Sequence, residues 1–237
     1  MLKILGALLM VCDHVGMLLF PDIRFLRIIG RLAFPIFAFL IAEGCRYTKN
    51  KLRYLFTMLG CAIVCQTVYF SYGNSLEMCV FVTFSLAIIN VYAFELVKKA
   101  LFSDTNAFVE KISIILFCST LAFTYYLNTV LDIDYGFFGC ILPVFTSIFY
   151  SVDKSKIGAT SSLDKIPVHV LTTAIGLILL IIERGGSTQI YCLLAIPILM
   201  LYSGERGRLR LKYFFYVFYP AHLVVLEMIA VLLSRTK

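Results

Sequence analysis

Residues 4–20 read ILGALLMVCDHVGMLLF, an apolar run that is long enough to cross a bilayer and that carries Asp13 and His14 near its centre. An aspartate at the middle of a membrane helix costs about 2.5 to 3.5 kcal/mol on insertion scales. Membrane proteins seldom keep such a residue unless it has a function. Asp13 and His14 therefore mark the first candidate site of this chain.

The rest of the chain has the composition of an integral membrane protein. Of its 237 residues, 61% are hydrophobic and 15% are charged. Soluble domains are closer to 45–50% apolar and about 25% charged. The apolar runs are continuous, whereas the strands of a membrane β-barrel alternate apolar and polar residues. The sequence predicts an all-α, polytopic helix bundle that forms a single transmembrane domain over residues 1–237, and no cleavage-site pattern follows the first run.

About nine membrane-spanning helices are predicted, because apolar runs of roughly the required 17–25 residues alternate with turn signals, and only the eighth run is shorter. Their limits are 4–20, 27–45, 53–72, 77–97, 111–128, 134–151, 166–182, 188–202 and 212–233. With the N-terminus in the cytoplasm, the loops after the even-numbered spans hold most of the lysines and arginines. We therefore expect a multi-pass protein of the cell membrane with a cytoplasmic N-terminus. The net charge of +7 is explained by these loops, without a nucleic-acid partner.

Two histidines within apolar spans are candidates for proton transfer, since imidazole titrates near neutral pH. His14 lies about ten residues into the first span, and His222 follows Pro220 in the last. A histidine that only links helices by a hydrogen bond is the structural alternative. Asp13 cannot orient the His14 ring, because adjacent residues of a helix point in different directions.

Arg31 is the expected partner of Asp13, which would give a clamp beside His14. It lies in the second span between Gly30, which permits close backbone approach, and Pro35, which removes a backbone hydrogen bond and kinks the helix. Two kinked helices and two histidines predict a cavity within the bundle. Glu43, near the inner end of the second span, is expected either to pair with Arg46 or to line an entrance to this cavity.

The other polar residues leave alternatives open. Asp132 and Asp134 lie where the chain enters the sixth span from the outer side, and they are expected either to cap that helix or to bind an acceptor amine. His169, near the start of the seventh span, is predicted to be a surface or interface residue. The eight cysteines are scattered and lack the spacing of a zinc site, so no metal is expected.

These motifs resemble the TraX family of membrane proteins, which takes its name from the F-pilin acetylase. The resemblance rests on Asp13-His14-Val15-Gly16, on RIIGRLAFPIFAFLIAEG at 27–44 and on YTKN and RYL at 47–50 and 53–55. It also includes DYG at 134–136 and YPAHL at 219–223. The chain departs from the family pattern at Glu77-Met78-Cys79, so the acceptor end of the site is expected to differ.

The resemblance implies an acyltransferase that moves an acetyl group from cytoplasmic acetyl-CoA to an acceptor amine or hydroxyl on the other side of the membrane. The acceptor would be a peptide, a sugar or a small molecule. His14 would act as the general base, with His222 or Arg31 stabilising the oxyanion, while Asp13 completes the catalytic set. An acyl-histidine intermediate is the alternative to direct transfer.

The binding residues follow from the same resemblance and from the charge of coenzyme A, whose phosphates require basic donors. The candidates for binding acetyl-CoA are Arg46, Lys49, Arg53, Arg208 and Arg210. The candidates for binding the acceptor are Glu43, Asp134, Tyr135 and Tyr219.

Two other functions are compatible with intramembrane histidines. A proton-coupled small-molecule transporter would also carry midplane histidines, an acid and broken helices. A non-catalytic assembly factor would not need either histidine. Binding of acetyl-CoA distinguishes the acyltransferase from both.

Overall fold

The computed structural model describes residues 1–72, 77–102, 106–151, 162–204 and 212–235. The helices in these ranges are α1 (Leu2–Leu18), α2 (Arg24–Gly30), α3 (Ala33–Tyr47), α4 (Lys51–Tyr72), α5 (Val80–Phe102), α6 (Ala107–Val130), α7 (Gly136–Ser147), α8 (Ile166–Arg184), a 3₁₀ helix (Gln189–Leu194), α9 (Ala195–Met200) and α10 (Lys212–Arg235). Two short strands, β1 (Glu77–Met78) and β2 (Asp132–Ile133), pair in parallel.

Helical segments of membrane-spanning length confirm the all-α, multi-pass prediction. In the described part of the chain, five segments are long and apolar enough to cross a bilayer: Arg24–Tyr47, Lys51–Ser71, Val80–Phe102, Ala107–Val130 and Ile166–Arg184. Three shorter apolar helices cover Gly136–Ser147, Gln189–Met200 and Val217–Leu233. Together with α1, these segments overlap the predicted runs, but several are shorter than a full bilayer crossing requires, so the count of nine spans stays a prediction.

The short helix α7 lies at the centre of the bundle, in contact with α3, α5 and α8. It approaches α8 closely at Gly176, where an added Cβ would lie 2.6 Å from Cδ1 of Leu142. One turn further on, the hydroxyls of Thr146 and Thr173 share a hydrogen bond of 2.8 Å. Small residues and a buried hydroxyl pair hold these helices together, as is usual inside a bilayer, where lipid removes the hydrophobic drive for association.

One end of the bundle, here called the first face, is held together by charged groups. It contains the ends of α3, α5 and α7 and the starts of α4 and α8. Arg46 donates to the carboxylate of Asp164 at 2.6 Å, and that carboxylate also bonds Nε2 of His169 at 2.9 Å. Of the two positions predicted for His169, surface or interface, the surface is excluded, because the ring is only 2% exposed. Asp164 lies just before α8 and outside every predicted span, so the sequence pattern gave no indication of its partners.

The opposite end, the second face, contains β1, β2 and the start of α7. The carboxylate of Glu183 accepts hydrogen bonds from the backbone N–H groups of Phe137 and Phe138, at 3.0 and 2.9 Å. This caps α7, whose N-cap residue is Tyr135. The prediction that Asp132 or Asp134 caps this helix is therefore wrong, and a carboxylate from α8 has that role.

The second predicted span is interrupted where its proline implies. α2 ends at Gly30 and α3 begins at Ala33, with Arg31 and Leu32 in a turn between them. Pro35 has no N–H to donate to the carbonyl four residues earlier, that of Arg31, so the helix breaks one turn before the proline. The break places the Arg31 side chain inside the bundle rather than on a regular helix face.

Candidate functional site

A large cavity runs through the interior of the bundle, as the sequence predicted from its kinked helices. Its volume is about 1420 Å³. The lining includes Tyr47, Thr48 and Tyr54 at the first face, and Asp132 and Arg184 at the second. The cavity thus has residues of both ends of the bundle in its lining, which also includes three of the four predicted catalytic residues, Asp13, His14 and Arg31.

The fourth predicted catalytic residue, His222, is in direct contact with His14. Nδ1 of His14 lies 2.7 Å from Nε2 of His222. The two rings are stacked, with centroids 4.9 Å apart and planes inclined by 21°. Nδ1 of His222 in turn lies 3.0 Å from the carbonyl oxygen of Phe218, one turn earlier in α10. Both nitrogens of His222 are therefore occupied, which leaves neither for an oxyanion.

Tyr219 packs edge-on against both histidine rings, at centroid distances of 5.9 Å from His14 and 5.2 Å from His222. On its other side, Tyr219 contacts Phe81 of α5. Both histidines are 8% exposed. The ring pair is thus fixed by aromatic packing, while His14 alone of the two lines the cavity.

Asp13 is clamped by two arginines, one of which the sequence did not predict. Its carboxylate pairs with Nη1 of Arg27 at 3.0 Å and, more distantly, with Nε of Arg31 at 3.9 Å. Arg31 also reaches Oε1 of Gln189 in the 3₁₀ helix, at 3.4 Å. This cluster joins α1, α2 and the 3₁₀ helix, so the charge of Asp13 is compensated within the bundle.

Two glycines permit the clamp. A Cβ at Gly30 would lie 2.3 Å from Cβ and 2.5 Å from Cα of Asp13. A Cβ at Gly16 would lie 2.8 Å from Cβ of Leu26. The backbones of α1 and α2 therefore cross at contact distances that only glycine allows.

The predicted acceptor residues also line the cavity, and three of them lie towards the second face. Tyr135 stacks on Phe34 with a centroid distance of 3.6 Å, and its φ of 65° is left-handed. The backbone carbonyl of Asp134 accepts a hydrogen bond from Thr83 at 2.6 Å. Tyr219 packs against the two histidine rings. Glu43 lines the opposite end of the cavity, where it contacts Arg46 at 4.0 Å and the Tyr202 hydroxyl at 3.4 Å.

The carboxyl of Asp134 belongs to the connection between β2 and α7, outside the helices, and it is exposed to the cavity. Partial removal from bulk water raises the pKa of this carboxyl to about 7, although the guanidinium groups of Arg31 and Arg184 act in the opposite direction. The group is therefore poised to change its charge near neutral pH.

The basic residues predicted to bind acetyl-CoA divide into three sets. Arg46 is engaged by Asp164 and lies over the ring of Tyr150 at 4.6 Å, so it holds the first face together. Lys49 and Arg53 are exposed beside Thr48 and Tyr54, at the cavity's end on the first face. Arg208 and Arg210 lie outside the described residues.

Several groups at the site were missed by sequence reasoning. Nothing in the sequence indicates that Arg27 rather than Arg31 is the closer partner of Asp13, and Gln189 and Glu183 carry no local signal. Their roles arise from contacts between helices that are distant in sequence. Among the described residues, no group of three or more His, Cys, Asp or Glu side chains could hold a metal ion.

The fold and the site together define a polytopic helical membrane protein with a large internal cavity, whose wall carries an ion cluster and one ring of a histidine pair. The model of the TraX protein family matches residues 1–230, and the chain belongs to this family.

Two relatives extend the comparison. The chain is 24% identical over 249 residues to the probable fimbrial assembly protein FimC, serogroup H1, of Dichelobacter nodosus, which covers 95% of this chain and 92% of that protein. It is 42% identical over 53 residues to an uncharacterised protein of Rickettsia prowazekii (strain Madrid E), over 22% of this chain and 21% of the other. No solved structure matches the chain.

Proposed function

We propose that this protein is a membrane acyltransferase that moves an acetyl group from cytoplasmic acetyl-CoA to an acceptor amine or hydroxyl at the opposite side of the membrane. The observation that carries the proposal is the position of His14, a buried histidine on the wall of a cavity that reaches both faces. A donor on one side and an acceptor on the other could meet at this residue without either crossing the membrane.

In the proposed reaction, the acceptor nitrogen or oxygen attacks the thioester carbonyl carbon while Nε2 of His14 takes its proton. The new C–N or C–O bond forms, and the C–S bond then breaks. The proton on Nε2 passes to the departing thiolate, so that free coenzyme A leaves as the thiol. His14 thereby returns to its starting state.

Arg31 is the group best placed to stabilise the oxyanion of the tetrahedral intermediate. Arg31 lines the same cavity as His14. Its guanidinium group is fixed in position by the carboxylate of Asp13 and by Oε1 of Gln189. A fixed cation beside the developing negative charge is worth more in a dry interior than in water. His222 does not serve this role, because both of its nitrogens are already bonded.

The donor and acceptor ends follow from the predicted orientation, with the first face in the cytoplasm. Lys49 and Arg53 would bind the phosphates of acetyl-CoA there, while the thin pantetheine arm extends along the cavity to His14. Asp134, Tyr135 and Tyr219 would bind the acceptor from the second face. The fimbrial assembly relative and the pilin acetylation that named the family favour a subunit of a surface fibre as the acceptor.

The test uses the purified protein in detergent, with acetyl-CoA and free coenzyme A as the ligands. Acetyl-CoA at about one hundred times its dissociation constant should stabilise wild type and His14→Gln alike, by about 2.7 kcal/mol. In membranes of the native cell envelope, which supply the acceptor, release of free coenzyme A should fall about 10²- to 10⁴-fold in His14→Gln. Wild-type turnover by this variant would end the proposed role of His14.

The transporter is the second candidate, since a cavity with residues from both faces in its lining also suits a carrier. It predicts no stabilisation by acetyl-CoA and no release of coenzyme A. Well-folded protein that fails both measurements, yet moves protons with a solute across vesicles, would favour the carrier over the acyltransferase.

A further inference from the structure

The contact between the two histidines has a direction, because one end of the chain of hydrogen bonds is a backbone carbonyl. The oxygen of Phe218 can only accept, so Nδ1 of His222 must carry a proton. If the ring is neutral, its Nε2 has a lone pair and accepts. Nδ1 of His14, at 2.7 Å, is then the donor.

Neutral rings are favoured by the surroundings. Both histidines are buried, and among the described residues neither pairs with a carboxylate, since that of Asp13 is directed to Arg27 and Arg31. An imidazolium without an anionic partner in a low-dielectric interior costs several kcal/mol. In the resting protein, each histidine is therefore expected to carry one proton, on Nδ1.

We propose that His222 is a positioning residue that holds His14 in its Nδ1–H tautomer, so that the lone pair of His14 is on Nε2. This inference rests on the proposed function of His14 as the general base. Nε2 of His14 makes no hydrogen bond within the described part of the chain, and the residue lines the cavity. His222 would thus do for His14 what a carboxylate does for the histidine of a hydrolase triad.

The hydrogen bond between His14 and His222 would also stabilise the protonated form of His14. Once Nε2 of His14 has taken the proton of the acceptor, the bond from its Nδ1–H to His222 becomes charge-assisted and roughly twice as strong. The gain exists only in the protonated state, so it lowers the barrier rather than tightening substrate binding. Loss of the acceptor on His222 should therefore reduce kcat about 10- to 100-fold and leave KM for acetyl-CoA unchanged.

Two variants separate the hydrogen bond from the volume of the ring. His222→Gln provides a carboxamide oxygen that can accept from His14, whereas His222→Phe provides a ring of similar shape that cannot. We expect His222→Gln to keep kcat within a few-fold of wild type. We expect His222→Phe to lose the full 10- to 100-fold in kcat.

The deciding measurement is ¹⁵N NMR of the histidine rings in detergent, with no acyl donor or acceptor present. The chain has three histidines, so a His169 variant identifies one signal and the His222 variants distinguish the other two. His14 should be protonated on Nδ1 in wild type and in His222→Gln. In His222→Phe it should shift towards the Nε2–H tautomer, which free histidine prefers.

A wild-type His14 protonated on Nε2, or one with the same tautomer in all three proteins, would overturn the inference. If His222→Phe fails to fold, the wild-type tautomer still decides, because protonation of His14 on Nε2 would overturn the inference. The NMR needs no turnover, so its outcome is independent of the proposed function. An Nδ1–H tautomer in a protein that transfers no acetyl group would support the positioning and refute the acyltransferase.

Discussion

Gly30→Ala tests the close crossing of α1 and α2 on which the position of His14 depends. The new Cβ would lie 2.5 Å from Cα of Asp13, a backbone atom that cannot rotate away. Ordinary carbon–carbon contacts lie at about 3.5–4.0 Å. The two helices must therefore separate locally by about 1 Å, and His14 follows Asp13 directly in the chain.

Two opposing effects set the size of the change. Alanine is favoured over glycine within a helix by about 1 kcal/mol, while overpacking a tight contact costs about 1–3 kcal/mol and more where backbone must move. We expect Gly30→Ala to lose about 1–2 kcal/mol of stability after these effects are combined. Since a displacement of 1 Å at a reacting group costs about 10²-fold, coenzyme A release should fall by roughly that factor.

The assay is thermal unfolding in detergent, together with release of coenzyme A in native membranes. Gly60→Ala is the matched control, because it is also a helical glycine and nothing lies within 4 Å of its added Cβ. The control should be slightly stabilised and fully active. A melting temperature of Gly30→Ala at or above that of Gly60→Ala would refute the close crossing, and full activity would refute the dependence of His14 on it.

Two further substitutions probe the second face. Asp134 holds its proton more tightly in the folded protein than at its usual pKa of 3.8, because partial removal from water raises the pKa to about 7. Its stabilising effect is therefore complete below pH 3.8 and lost as the pH rises to about 7. The gain in melting temperature of Asp134→Asn relative to wild type should grow as the pH rises from about 4 to about 7 and level off above that, and a difference that does not change with pH would contradict this. Glu183→Gln should lower the stability by about 1 kcal/mol, because it removes the charge that caps α7. Asp22→Asn, an exposed carboxylate in a loop, is its control in thermal unfolding, and equal effects would argue against the cap.

The helices and the membrane class could be predicted because each depends on local sequence. Apolar runs of bilayer length and the positions of turn residues need no knowledge of neighbours. The break near Pro35 could be predicted because proline has no N–H to donate. A partner for Asp13 on the second predicted span could be expected because Asp13 and its neighbour His14 point in different directions from one helix.

The parts that could not be predicted depend on how helices rotate against one another. His14 and His222 are 208 positions apart, and no local pattern indicates that their rings meet. Arg27 proved the closer partner of Asp13, at 3.0 Å against 3.9 Å for Arg31, because the break between α2 and α3 turns Arg31 towards Gln189. Which rings meet, and which arginine lies closer to Asp13, depends on how whole helices pack against one another.

The polar groups of the interior have different bonding partners. These partners are stronger evidence of function than the mere occurrence of polar groups inside the bundle. At the first face, Arg46 has Asp164 and Lys98 has the carbonyl oxygens of Ser147 and Tyr150, so these charges act structurally. Asp13 is likewise compensated. His14 is different, because its inner nitrogen is bonded while the residue itself lines the cavity. A histidine that only joined helices would have no need of a cavity beside it, whereas a general base requires both a fixed ring and space for its substrate.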